Sequence, residues 1–206
     1  MILDIVLASG NQGKVREIQA ILNDFPITLT SMKEYDGVPD DIVEDGETFL
    51  DNAMIKAKAV YEVVKKPTLA EDSGIVIAAL NGEPGVRSAR YGMENDEKPD
   101  PDWINEYILG KMKDVPEGKR EAYYKAVIVL IIDESTTLVA EGECHGEIGF
   151  APVGDHGFGF DPIFYLPDYG KTAAQITPEQ KNAISHRGRA LEKLKEELSV
   201  YLKDKG

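Results

Sequence analysis

Tyr123-Tyr124-Lys125-Ala126-Val127-Ile128-Val129-Leu130-Ile131-Ile132-Asp133 is followed, after a short polar turn, by Thr137-Leu138-Val139-Ala140-Glu141-Gly142-Glu143-Cys144-His145-Gly146-Glu147-Ile148. Two long runs rich in β-branched and apolar residues around so short a turn predict an antiparallel hairpin. The amino-terminal half reads differently. Ile2 to Ala8 is a short apolar run ending in a Ser-Gly-Asn cluster, which suits a buried strand, and Val15, Ile18, Ile21 and Leu22 then recur at helical spacing. A strand, loop and helix at the start and a hairpin later imply an α/β fold with a mixed, partly antiparallel sheet flanked by helices.

Between these landmarks, Ile27 to Thr30 predicts a second strand, and residues 31–47, with Asp36-Gly37, Pro39, Asp40, Asp41, Glu44 and Asp45, predict a loop. Thr48 to Lys65 is the clearest helix. Leu50, Met54, Ala57, Tyr61 and Val64 fall on one stripe, Thr48 can cap it and Pro67 ends it. Strands are expected at 68–70 and 75–80, on either side of Glu71-Asp72-Ser73-Gly74 read as a turn. Residues 81–102 read as a long loop, with helical spacing resuming at Trp103, Tyr107 and Met112. Residues 149–170 read as a glycine- and aromatic-rich loop, and Leu191, Leu194, Leu198 and Tyr201 mark a terminal amphipathic helix.

Composition narrows the function classes. A chain of 206 residues with 42% hydrophobic content can bury a substantial core, and one domain spanning residues 1–206 is expected. No basic stretch precedes the first apolar run, Asp4 interrupts it, and no run approaches the roughly 18 apolar residues of a membrane span, so neither a leader peptide nor a membrane partner is expected. Cys144 is the single cysteine, which removes intrachain disulfides and cysteine-based zinc clusters and fits a reducing, cytoplasmic setting. The formal charge of −14 argues against nucleic acid as a partner, because that binding relies on lysine and arginine neutralising phosphates. A small polyanion remains open, given a locally basic pocket or a bridging metal ion.

Four segments carry candidate chemistry. Ser9-Gly10-Asn11-Gln12-Gly13-Lys14 lies between strand and helix, where backbone N–H groups and the helix dipole suit an anion that Lys14 would reinforce. Its spacing matches neither a P-loop nor a dinucleotide fingerprint, and a plain strand-to-helix turn reads equally well. Glu44 precedes the helix that carries Lys56, where a dipole-favouring acid and a surface lysine are the ordinary readings. Glu71 and Asp72 are adjacent acids whose side chains point to opposite faces of an extended chain, so only one can face a given ligand, and Asp72 is the choice. The fourth set is Gly157-Phe158-Gly159-Phe160-Asp161-Pro162 with Lys181 and Ser185-His186-Arg187. Glycines around two phenylalanines can lay an aromatic face on a base, core aromatics under a loop being the bland alternative, and His186 can equally start a helix.

Together these segments resemble the inosine triphosphate pyrophosphatase family over nearly the whole chain. The likeness runs through Ser9, Asn11, Lys14 and Glu17; Glu44, Gly46, Thr48, Phe49, Asn52, Ala53, Lys56 and Ala57; Asp72-Ser73-Gly74; and Pro84-Gly85-Val86 with Ser88-Ala89-Arg90-Tyr91. It continues through Gly157 to Pro162, Gly170-Lys171-Thr172, and Lys181, Ala183, Ser185, His186 and Arg187. The resemblance implies two lobes around a central cleft, a homodimer, and Mg²⁺-dependent hydrolysis of non-standard purine nucleoside triphosphates (ITP, dITP, XTP) to monophosphate and pyrophosphate. It implies that Ser9 to Lys14 cradle the triphosphate, Glu44 and Asp72 hold the metal, Asp72 accepts a proton, and Ser73 and Lys56 contact phosphate. Phe158, Gly159, Phe160, Asp161, Lys181, His186 and Arg187 would build the base and phosphate pocket. The chain departs from the family in carrying Glu71 where Asp is usual and Phe160 where a larger aromatic is usual. Two other readings stay open at this point, a Maf-type nucleotide pyrophosphatase and a non-catalytic nucleotide sensor, and turnover of ITP excludes the second.

Overall fold

The computed structural model describes residues 2–39, 41–93 and 99–204, so Asp40 and the 94–98 part of the expected 81–102 loop lie outside the described residues. Strands β1 (Leu3–Leu7), β2 (Ile27–Ser31), β3 (Thr68–Ile77), β4 (Glu121–Asp133), β5 (Thr136–Ile148), β6 (Phe164–Leu166) and β7 (Lys171–Thr172) form one sheet in the order β2-β1-β3-β4-β5-β6-β7. β1 runs parallel to β2 and β3, whereas β6 is antiparallel to β5 and β7, so the sheet is mixed. The helices are α1 (Gln12–Leu22), α2 (Phe49–Val64), α3 (Pro101–Lys111), α4 (Pro178–Ile184) and α5 (His186–Asp204). The mixed α/β class matches the reading of the sequence.

The chain divides into two compact units. The first comprises Met1–Asp72, Ala126–Gly142 and His186–Gly206, and the second Ser73–Lys125 and Glu143–Ser185. In the first, strand alternation sorts the core into two layers. Ile5, Leu7, Leu69 and Ile128 pack with Ile18 of α1 and Leu191 and Leu194 of α5. Val6, Ala8, Ala70 and Val129 pack with Ala53, Ala57 and Val60 of α2. A strand covered on both faces has no polar side to show, which explains the unbroken apolar run of β4. In the second unit one core gathers Ile75, Ile77, Ile104, Ile108, Met112, Tyr124, Phe160, Phe164 and the buried Cys144.

Helix α2 begins where its sequence says it should. The Thr48 hydroxyl accepts the Asp51 amide at 3.1 Å while the Asp51 carboxylate accepts the Thr48 amide at 3.0 Å, a capping box of the kind worth about 0.5–2 kcal/mol. Lys65 closes it in a left-handed conformation.

Two expectations need correction. Glu71 to Gly74 is not a turn but the middle of β3, which runs unbroken from Thr68 to Ile77. Gly74 makes that possible: a Cβ there would lie 2.3 Å from the Ser88 hydroxyl and 2.4 Å from the Gly85 carbonyl. Ser88 fills the space instead, accepting the Ile75 amide at 2.9 Å and donating to Gly85 at 2.6 Å. The segment 149–170, read as a loop, contains β6 and is followed directly by β7, strands too short for an alternation to show. Helix α4 lies where the sequence sets no expectation; Thr177 caps it by accepting the Gln180 amide at 3.2 Å.

Candidate functional site

Within the first unit, β3 presents its two acids to different environments, as alternation requires. Asp72 lies on the α2 side with Ala70. One turn apart on that helix, and so on one face, Asn52 and Lys56 both reach it: Lys56 Nζ is 3.2 Å from Asp72 Oδ1, and Asn52 Nδ2 is 3.3 Å from Oδ2. The Lys56 ammonium also donates to Glu44, and Asn52 Oδ1 accepts the Gly46 amide at 2.8 Å, tying the Glu44 segment to the helix. Lys56 (9% exposed) and Asp72 (6%) are buried, so their interaction is poorly screened. Burial pushes the Asp72 carboxyl above its ordinary value; Lys56 and Lys14 pull it back, and Glu44 adds to the rise.

Glu71, on the Leu69 side, receives a forked pair of bonds from Arg187, at 2.6 Å from Nε and 2.7 Å from Nη2, and Arg187 Nη1 donates to Glu17. Lys14 Nζ stands 3.7 Å from Glu71. Burial alone would raise the Glu71 carboxyl, but Arg187, Lys14 and the neighbouring His186 together hold it well below the usual carboxylate range. Burial lowers the Lys14 ammonium from its ordinary value. His186 opens α5 and is itself buried. Arg187 is 1% exposed with its guanidinium engaged by two acids, a buried strut joining α5, β3 and α1.

At the start of α1, Asn11 Oδ1 accepts the Gly13 and Lys14 amides at 2.9 and 3.2 Å, and the Ser9 hydroxyl accepts the Asn11 amide at 3.2 Å. Two N–H groups read from sequence as anion donors are therefore already given to the cap. Gly10, Asn11 and Gln12 are exposed, and Ser9, Gly13 and Lys14 are partly so.

The second unit holds a separate cluster. Asp161 Oδ2 accepts from the Phe158 amide at 2.8 Å and from Lys181 Nζ at 2.6 Å, while Tyr124 donates to Oδ1 at 3.4 Å. Gly157 adopts φ +80°, and a Cβ there would lie 2.1 Å from Asp161 Oδ2, so the tight loop requires glycine. Lys181 lies 4.6 Å from the centre of the Phe158 ring. Phe158 and Gly159 are partly exposed, whereas the Phe160 ring is buried in the core. Ser73, partly exposed, follows Asp72 in β3.

Sequence reading gave Asn52 and Tyr124 no role. Asn52 carried a usable signal, its i, i+4 spacing from Lys56; Tyr124, inside an apolar strand, carried none. Glu44 and Asp72, both in contact with Lys56, are hard oxygen donors of the kind that hold Mg²⁺ through one or two carboxylates, with water and phosphate completing the shell. Among the described residues no group of three or more His, Cys, Asp or Glu is placed to hold a metal, and no helix is long and apolar enough to cross a membrane.

The Ham1 family profile matches residues 5–197. A dITP/XTP pyrophosphatase of Clostridium perfringens is 44% identical, the match covering 96% of this chain and 98% of that protein. A protein of the same name from Geobacillus kaustophilus is 42% identical, with 98% of each chain covered. Among solved structures, a HAM1 protein from Coxiella burnetii superposes with a TM-score of 0.86 at 42% identity, covering 96% of this chain and 99% of that one. The Staphylococcus aureus Ham1 protein gives 0.83 at 39% identity, with 96% and 99% covered.

Proposed function

Because the chain belongs to the Ham1 family, we propose that it hydrolyses dITP, ITP and XTP to the nucleoside monophosphate and pyrophosphate, as a single functional domain of residues 1–206. The observation that carries this reading is the buried Lys56 ammonium in contact with the carboxylates of both Glu44 and Asp72. A cation shared by two acids marks a place where cationic charge is needed and where a phosphate chain and its counter-ion can be received.

In this reading Glu44 and Asp72 hold Mg²⁺, which when bound neutralises phosphate charge and draws electron density from the scissile linkage. Asp72, made more basic by burial, takes a proton from the attacking water. The water oxygen forms the new bond to phosphorus, the bridging oxygen between the α and β phosphates leaves with its electron pair, and pyrophosphate departs. Lys56 and Lys14 stabilise the charge that grows on the leaving oxygens, with Ser9 to Gln12 and Ser73 holding the chain of phosphates while the Gly13 amide stays in the Asn11 cap. Glu71, engaged by Arg187, does not exchange protons with water; Arg187 and His186 hold the phosphate-side residues in place.

The Phe158 ring stacks on the purine, while Lys181, steered by Asp161 and backed by Gly159 and Phe160, presents N–H to the base edge. A donor there favours the 6-oxygen of inosine and xanthosine and leaves the 6-amine of adenine unmatched. We place the enzyme in the cytoplasm, working as a homodimer without nucleic-acid or membrane partners. The test is a panel of nucleoside triphosphates assayed for pyrophosphate release with magnesium. ITP, dITP and XTP are expected to be cleaved far faster than ATP; release of orthophosphate with diphosphate, or equal rates on ATP, overturns the proposal.

A further inference from the structure

Helix α3 turns Ile104, Ile108 and Met112 into the core of the second unit, and Asn105 lies beside them at 1% exposure, where an apolar residue is the ordinary choice. Its Nδ2 donates to the Gly159 carbonyl at 3.1 Å, while its Oδ1 is fully buried and receives no hydrogen bond from the described residues. The amide orientation follows from chemistry, since a carbonyl partner demands the NH₂ side. A buried acceptor without a donor costs stability, so this amide is a poor choice for the core alone.

We infer that Asn105 is a positioning residue that fixes the Phe158–Gly159 segment through the Gly159 carbonyl, and so sets the aromatic face that receives the purine. The inference rests on the proposed role of that loop in binding the base. The segment is held at two successive residues: the Phe158 amide goes to Asp161 and the Gly159 carbonyl to Asn105. Asp161 and Lys181 fix the polar side of the loop, and Asn105 holds it from α3. Gly159, at φ +64°, has no side chain to anchor it, so loss of this bond frees the Gly159–Phe160 peptide, one residue beyond Phe158, to rotate.

The test uses Asn105→Leu, which matches the side chain in size and removes the unpaired acceptor together with the loop bond, and Asn105→Ala as a second variant. Steady-state kinetics on ITP are compared with inhibition by inorganic tripolyphosphate, which has phosphates but no base. The expected result for Asn105→Leu is a KM for ITP raised at least about fivefold, the low end of what base stacking contributes, with kcat and the tripolyphosphate inhibition constant within about twofold. Its melting temperature should stay close to the parent's, because a stranded acceptor has gone while the partly exposed Gly159 carbonyl can turn to water for its lost donor. Asn105→Ala should show the same KM and inhibition pattern with a lower melting temperature. An unchanged KM in both folded variants, or parallel weakening of ITP and tripolyphosphate, overturns the inference. If the parent itself fails to hydrolyse ITP, the proposed function fails instead, and the two failures are distinct.

Discussion

Glu71 and Asp72 are neighbours in one strand, yet the structure gives them different partners, and replacing each with its amide tests the roles proposed for them. Asp72→Asn preserves shape but removes the proposed proton acceptor and one of two carboxylates touching Lys56. General-base catalysis is worth about 10²–10⁴-fold, so single-turnover hydrolysis of ITP at saturating magnesium should slow by at least that range. Its stability should not fall. Burial disfavours the Asp72 charge in the folded state, so a neutral side chain relieves that cost while Lys56 keeps Glu44. Glu71→Gln leaves the Arg187 guanidinium buried against one acid instead of two. Breaking a fully buried pair costs about 3–5 kcal/mol, and at roughly 2–4 °C per kcal/mol for a chain of this size the melting temperature should drop by roughly 6–20 °C. Below that transition, turnover should be reduced less than in Asp72→Asn. If Asp72→Asn turns over within a few-fold of the parent, or Glu71→Gln is the slower enzyme while melting normally, the assignment of the base to Asp72 is wrong.

The same buried pair sets a pH dependence. The folded-state Glu71 carboxyl lies below its unfolded value of about 4.3, so its stabilisation is complete above that pH and is lost as the pH falls through the folded value. The melting-temperature gap between parent and Glu71→Gln should therefore narrow between pH 7 and pH 3, and a constant gap would contradict it. Glu44→Gln should weaken Mn²⁺ binding, read by paramagnetic resonance without nucleotide, by at least about tenfold, since even outer partners of a metal ligand are worth about 10–100-fold. The two loop phenylalanines should separate: Phe158→Ala raises the KM for ITP by roughly 5–150-fold through lost stacking, whereas Phe160→Ala costs about 3–5 kcal/mol of stability, measured by urea denaturation. Equal effects on KM would place both rings against the base.

What the sequence determined by itself were the features written in short-range periodicity. The threonine cap of α2, the long runs of β4 and β5, and the opposite facing of Glu71 and Asp72 all follow from patterns of a few residues, whereas the face that α2 buries runs through Phe49, Ala53, Ala57 and Val60 and leaves Leu50 of the expected stripe exposed. The motif order was enough to mark Glu44, Lys56, Asp72, Asp161 and Lys181 as candidates, but not to say what any of them touches. Tertiary structure decided the rest, because each remaining question turned on a partner far along the chain. Three polar residues and a glycine that read as a turn lie mid-strand, where Ser88, fourteen positions beyond Gly74, packs into the space a side chain would need. Arg187, read as a pocket residue, is engaged by Glu71 across 116 positions, and one strand residue's phase separates that acid from the one left to Lys56. Local pattern sets which way a side chain points; which charge meets it there depends on the packing of distant segments, and that meeting decides which carboxylate is tied into a buried ion pair with Arg187 and which is left beside Lys56.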